Sequence, residues 1–441
     1  MSKIGGKLLA SILLVVGIIV GVVGGYFWGH SAGYNAASQA YETKIEETES
    51  KIEALLPFIG KTIKIGAILP LSGALAPFGQ QALRGLEFIV SKVNAEGGIL
   101  GAKLELLVED FGGDPKVAMS AAEKLITVDK VNVITGCYMS AAIMTVMEVT
   151  EKHKVPFLSI GGAANELTQK GAKYYWRTVQ NASIFSLMTM KFLSEVIKPG
   201  ALGIVYEDTL RGESTFKAFD KLSKEYGINI VVAEKYPLGS LDFKPLISKV
   251  RAINPDALIV VAYITDCVLL AKQMKEMGYY PKAIVIEAGT QLTDYLRLAG
   301  EESKYWFVQS YYWPDRNYPD REICYKWGLE FYRKYGTALD GYAKDSIVNV
   351  LILKEVLEKT KTLDPDKIRR AMIEGDFFIS FFGRVRFNEA GDNIDSPKTF
   401  AMAQILPVGP EIPWNVNGLS YISVWPSHMK VAEPVYPMPK S

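Results

Sequence analysis

Apolar and polar positions along this chain fall into blocks whose period changes. Ile63–Leu69, IKIGAIL, is an apolar run of strand length closed by Pro70. Gln80–Val93 then places Leu83, Leu86, Ile89, Val90 and Val93 at three- and four-residue spacing, the stripe of an amphipathic helix. Gly97, Gly98 and Gly101 punctuate the exit, and LELLVED (104–110) returns as a second strand. This is one βαβ unit, the seed of a parallel sheet covered by helices. The alternation predicts a helix over 115–127 behind an Asp114–Pro115 start signal, a strand over 131–135, a helix over 140–152 and strands over 155–160 and 174–178. It then restarts. Helices over 182–196, 212–226, 243–252 and 264–277 alternate with strands over 201–206, 228–234, 256–262 and 283–287.

Two successive runs of βα units argue for an α/β protein of two three-layer lobes rather than one long sheet. Phe307–Trp313 is expected to cross back to the first lobe, followed by helices over 319–335, 342–358 and 364–373. Strands over 383–387, 399–406 and 421–425, interrupted by prolines, suit a final crossing. The resulting organisation is 62–181 plus 311–387 for the first lobe and 182–310 plus 388–430 for the second.

Residues 1–61 differ in kind. Leu8–Trp28 holds no charge over 21 residues, enough for a helix of about 30 Å, the thickness of a bilayer core. Residues 1–28 are therefore expected to be an uncleaved membrane anchor, the rival being a long signal that is removed. Lys3 and Lys7 precede the segment, so the positive-inside rule puts the body outside the cytoplasm. Residues 29–61 form a stalk or linker, with the charged YETKIEETESKIEALL (41–56) as a helical spacer.

Composition narrows the function. At 441 residues the chain exceeds one ordinary core, and a net charge of +1 gives no basic surplus for nucleic acid. Cys137, Cys267 and Cys324 show no C-x-x-C spacing and read as buried thiols rather than a disulfide framework or zinc site. His30, His153 and His428 stand apart, and no H-E-x-x-H, G-x-S-x-G or Walker A sequence occurs. Gly97-Gly98-x-x-Gly101 lies between helix and strand, where a dinucleotide fingerprint cannot work. No enzyme, cofactor or metal is expected.

Binding remains. Open α/β sheets hold ligands beyond the carboxyl ends of their strands, against helix N-termini. After VNVIT, Ser140 opens a helical run; its hydroxyl and the next N–H groups could receive a carboxylate, or it serves as an N-cap. After VPFLSI, Gly161 and Gly162 let a ligand approach the backbone, or form a tight turn.

LPLSG, the loop that follows it, FGQQALRGLEFIVSKVNAEGGILG and the ED ahead of DP resemble the opening of the leucine/isoleucine/valine-binding protein family, the type I periplasmic substrate-binding proteins of ABC importers, and the resemblance extends over Ile63–Pro437. It implies two lobes joined by a three-strand hinge that close on a small amino acid, branched-chain or otherwise apolar, and deliver it to an ABC permease. It also implies a monomeric soluble domain. In its register Gly161 matches a backbone contributor, and Ala163 stands where the family has a ligand-binding threonine. Tyr263, directly after DALIVVA, matches a pocket tyrosine, and Glu287, closing AIVIE, matches the carboxylate that holds the ligand's α-ammonium. Phe78 matches an aromatic wall. Arg211 replaces a common tyrosine: either an exposed helix-start residue or a grip on an additional anionic group of the ligand. Gly113 and Met139 fall near the positions of a small disulfide that this chain lacks. Within the same fold, relatives that bind urea, amides or another small carboxylate are the nearest alternatives, and receptor ectodomains are a further one.

Overall fold

The computed structural model describes Ala40, Thr43, Lys44, Glu46, Glu47, 58–287, Thr290, 292–310, 321–379 and 382–439. The expected anchor over 1–28 and most of the stalk lie outside these residues. Among the described residues no helix is long and apolar enough to cross a membrane. Phe58–Lys61 belongs with Leu100–Ala102, and Thr62–Ile99 with Lys103–Ser441 forms a compact unit. In the first, the Lys61 N–H closes a turn on the Phe58 carbonyl at 3.0 Å.

The second unit begins with β1 (Thr62–Leu69), α1 (Ala76–Ala95), β2 (Lys103–Asp110), α2 (Pro115–Thr127), β3 (Val133–Gly136), α3 (Ser140–His153), β4 (Phe157–Ser159) and β5 (Tyr175–Arg177). Their five strands form one parallel sheet in the order β2-β1-β3-β4-β5. Asp114 caps α2 by accepting the Lys116 N–H at 2.7 Å, which explains why the Asp-Pro signal could be read. Ile68, Leu125, Ile134, Val146 and Phe157 share one apolar cluster that joins the sheet to α2 and α3.

The chain then enters α4 (Ala182–Phe192), β6 (Leu202–Glu207), α5 (Leu210–Tyr226), β7 (Ile230–Tyr236), α6 (Lys244–Ile253), β8 (Ala257–Val261), α7 (Ile264–Glu276), β9 (Ala283–Glu287), α8 (Thr293–Ala299) and β10 (Phe307–Ser310). After them come α9 (Arg321–Tyr335), α10 (Gly341–Thr360), α11 (Pro365–Glu374), the antiparallel pair β11 (Phe377–Ile379) and β12 (Gly383–Val385), then β13 (Ala401–Pro407) and β14 (Leu419–Trp425). The second sheet runs β14-β13-β10-β9-β8-β6-β7, parallel except where β13 meets β10 and β14. Strand periodicity sorts its residues by face. Leu258, Val260, Ile284 and Ile286 enter one apolar cluster, and Ala257, Ile259, Ala283 and Val285 enter another. Both faces are covered, so the strands read as unbroken apolar runs.

Phe307–Ser310 is β10, bonded to β9 and β13 in the second sheet, on the second-lobe side of the expected crossing. Residues 311–320, the rest of the expected crossing, lie outside the described residues. Beyond them α10 packs on α1, and Asn349 on α10 donates to the carbonyls of Leu158 and Ser159 at 3.0 and 3.1 Å, which attaches it to the first sheet.

Candidate ligand-binding cleft

The carboxyl ends of both sheets converge on one cleft. Tyr138, Gly161, Gly162, Ala163, Val179, Phe185, Arg211, Tyr263 and Tyr342 line it, and its walls stand so close that the free volume between them is ≈ 20 Å³. Tyr138 follows β3, the Gly161–Ala163 loop follows β4, Val179 follows β5 and Tyr263 follows β8, so strand-end geometry alone assembles most of the wall. The walls touch: the Tyr138 and Tyr263 rings lie 5.6 Å apart centre to centre, edge to face, and Ser214 on α5 accepts the Asn165 N–H at 2.9 Å.

On the first-lobe side the contribution is a row of donors. The carbonyl of Gly161 accepts from the Ser159 hydroxyl at 3.0 Å, and that of Ala163 accepts from the Ala182 N–H at 2.6 Å. The carbonyls of Gly162 and Ala164 both accept from Arg177 Nη1, at 2.5 and 2.7 Å. Among the described residues no acceptor is bonded to the N–H groups of Gly161, Gly162 and Ala163. Consecutive N–H groups of this kind form an anion-binding concavity. Gly162 is required here: its φ of +85° is costly for other residues, and a Cβ would sit 2.4 Å from Ile143 Cδ1.

Arg177 organises this loop from behind. It is fully buried, its Nε donates to Asp392 at 2.6 Å and its Nη2 donates to Thr168 at 3.1 Å. Its backbone N–H reaches the Gly391 carbonyl at 3.0 Å. The return segment ahead of β13 is thereby tied to the loop after β4.

The second-lobe side is charged. Glu207 closes β6 and Glu287 closes β9, with β8 between them, so two carboxylates end on the same edge of the sheet. Arg211, in the first turn of α5, is 4% exposed. Its Nε donates to Glu207 Oε1 at 2.7 Å, its Nη2 lies 2.7 Å from that oxygen, and its Nη1 lies 3.5 Å from Glu287 Oε2. The guanidinium carbon sits 4.4 Å from the Tyr263 ring centre, a cation–π contact. Gly212 makes this packing possible, because a Cβ there would come within 2.0 Å of the Glu207 carbonyl. Neither Nη atom of Arg211 and neither oxygen of Glu287 makes a hydrogen bond among the described residues.

Burial sets the protonation of this cluster. It pushes the Glu287 carboxyl up to about 7, with Arg211 pulling the other way, and it raises Glu207 against the same counter-pull. Burial would depress Arg211, but Glu207, Tyr263 and Glu287 more than reverse that. Asp266, buried beside them on α7, is pushed up to about 6 by burial.

Of the residues singled out from sequence, Gly161, Gly162, Ala163, Arg211 and Tyr263 line the cleft. Glu287 is fully buried beside Arg211. Arg211 is not an exposed helix-start residue, and Glu207 already takes part of its charge. Phe78 stands behind the wall, stacked on Tyr138 at 4.4 Å and edge-on to Tyr342 at 5.1 Å. Ser140 is not the N-cap of α3; Met139 is, without a side-chain bond, and the Ser140 hydroxyl accepts the Ala164 N–H at 3.3 Å. Sequence reasoning missed Tyr138, Val179, Phe185, Tyr342 and Glu207. Glu207 had a visible signal: it closes an apolar strand as Glu287 does, four residues before Arg211.

Cys137, Cys267 and Cys324 are buried and no disulfide joins them. No cluster that could hold a metal occurs among the described residues. A wider groove of ≈ 370 Å³ lies between α1, α9, α10 and β11, but none of its lining residues comes from the two large sheets.

Two lobes with a polar cleft at their strand ends define a solute-binding protein. The sequence model described as Periplasmic binding protein matches residues 62–405, and the chain belongs to that family, in its type I, leucine/isoleucine/valine-binding group. This is a family of substrate-binding proteins, not of enzymes. A Leu/Ile/Val-binding protein homolog 7 from Brucella abortus is 30% identical over 325 residues, 70% of this chain and 80% of that protein. Two solved structures show the same fold. The branched-chain amino acid transporter substrate-binding protein of Streptococcus pneumoniae, in complex with isoleucine, has a TM-score of 0.71 and 21% identity, over 82% of this chain and 100% of that one. An ABC-transporter solute-binding protein of Rhodopseudomonas palustris, in complex with 3,4-dihydroxybenzoic acid, also has a TM-score of 0.71, at 20% identity over 82% and 95% of the two chains.

Proposed function

We propose that this chain is the extracytoplasmic solute-binding component of an ABC importer and that it holds an amino acid between its two lobes. The observation that carries the reading is complementarity across the cleft. Gly161–Ala163 line one wall with N–H groups that no acceptor among the described residues takes, and the buried Glu287 carboxylate, without a hydrogen bond and 3.5 Å from Arg211, stands on the other side. The first suits a ligand's carboxylate and the second its α-ammonium. Because the charges are held by different lobes, a zwitterion stabilises the closed arrangement over the open one, and closure is the signal an ABC permease reads. The apolar run over 8–28 would tether the domain to the membrane, as a single soluble monomer.

The test is calorimetric titration of the chain with leucine, isoleucine, valine and other amino acids, repeated on Glu287→Ala. Loss of a charge-assisted bond should cost about 1.5–3 kcal/mol, roughly 10- to 100-fold in affinity. Failure of every amino acid to bind would sink the reading. A second reading, a small aromatic carboxylate, is favoured by the rings of Tyr138, Tyr263 and Tyr342 around the cleft. Tight binding of a benzoate with no requirement for an ammonium would select it.

A further inference from the structure

Arg211 poses a problem that a plain aliphatic ligand does not solve. It is buried, it lines the cleft, and beyond the ion pair of Nη2 with Glu207 at 2.7 Å neither Nη group makes a hydrogen bond among the described residues, Nη1 having nothing nearer than Glu287 at 3.5 Å. A buried donor left unpaired is costly, so a ligand that supplies an acceptor gains what an aliphatic side chain forfeits. The acceptor's charge follows from the surrounding groups. Glu207 pairs with Arg211 through two contacts to one oxygen. Glu287 approaches from the other side at 3.5 Å, and Asp266 lies buried in the first turn of α7, just beyond Tyr263. Two carboxyl groups therefore flank one guanidinium, with a third on the same lobe. If Glu287 takes the ligand's ammonium and the Gly161–Ala163 row takes its carboxylate, a neutral side chain leaves no further charge to bury. An acidic side chain would add an anion beside Glu207 and Asp266.

We infer, on the amino-acid reading above, that Arg211 selects ligands whose side chain ends in a neutral oxygen acceptor, such as a carboxamide or ureido group. Aliphatic and acidic amino acids are both disfavoured by it. The guanidinium is well placed for this because stacking on Tyr263 and the bond to Glu207 fix its plane, and a fixed fork loses little freedom on binding.

The experiment is titration of the full chain with leucine, glutamate, glutamine and citrulline at one pH. Glutamine or citrulline should bind at least about tenfold tighter than leucine and glutamate. Because Arg211→Met alone leaves two buried carboxylates facing each other, the comparison uses the double variant Glu207→Gln/Arg211→Met, with its fold checked by circular dichroism. That variant should lose the preference, leucine binding as well as glutamine. Arg211→Lys, which keeps the charge but not the fork, should retain only part of it. Leucine binding tightest to the native chain, or a preference unchanged in the double variant, overturns the inference while leaving the amino-acid reading intact. Binding of none of the four overturns that reading and this inference with it.

Discussion

Arg211 Nη1 and Glu287 Oε2 lie 3.5 Å apart, the arginine on a helix and the glutamate at the end of a strand two places away in the sheet from Glu207. One cation thus serves two carboxylates that belong to different strands. Removing one member of a buried ion cluster strands the others without a counter-charge. Arg211→Met should therefore destabilise the chain by about 3–5 kcal/mol at pH 7.5. The loss should shrink at pH 5, where the two carboxyls can take up protons. Urea unfolding at the two pH values measures this, and an equal loss at both would refute it.

Ligand binding should depend on the protonation of Glu287. Its pKa is raised to about 7, so a carboxylate able to meet an ammonium is populated mainly above neutrality. Affinity for an amino acid should fall as pH drops below 7, approaching about tenfold per unit. For the unliganded chain the sign is opposite. A carboxyl whose folded pKa lies above its unfolded value contributes stability that is lost as pH rises through about 7. Glu287→Gln should flatten both profiles, as isothermal titration and thermal melts across pH 5.5–8.5 would record.

Gly162→Ala puts a methyl group into a left-handed backbone position, 2.4 Å from Ile143 Cδ1 and 2.7 Å from Leu167 Cδ1. Strain and overpacking together should cost about 1–3 kcal/mol. Because the loop presents its N–H groups to the cleft, affinity should fall as well. A variant with native melting temperature and native affinity would show that the loop tolerates what its geometry forbids.

Arg177→Met removes the donor shared by Gly162, Ala164, Thr168 and Asp392. Breaking a buried pair in this way should cost about 3–5 kcal/mol, read from the denaturant midpoint. Arg177→Lys should recover only part of it, since a point charge cannot reproduce a planar fork.

Much of the fold was legible because most strands of the two large sheets are buried on both faces or end at a glycine or a polar residue. The helices open on short polar caps such as Asp114, Asn181 and Asp364. The site was legible where it depends on strand ends. Glu287 and Tyr263 come directly after apolar runs, and Gly161–Gly162 interrupts one. Tyr138 and Tyr342 were not, because a tyrosine in a loop or at a helix start looks the same whether it faces solvent, core or cleft. Only the pairing of the β3 end with α10, 204 residues apart in sequence, brings their hydroxyls to 3.3 Å. The place of Ser140 at a helix start was read correctly, and its hydroxyl accepts the Ala164 N–H of the neighbouring loop, a contact that only the fold brings about.

The fastening of the Gly161–Ala163 loop by Arg177 has a consequence for what the cleft can recognise. The donor row is locked to the first lobe's framework and to the segment that leads back into β13, whereas the carboxylates ride on the ends of β6 and β9. Neither set can shift along its own wall to suit a visitor. On the amino-acid reading proposed above, the swing of the lobes then acts as a gauge of charge separation. A solute whose opposite charges stand too far apart wedges the jaws ajar, one with a single charge draws on only one jaw, and only a solute of the right span lets them meet.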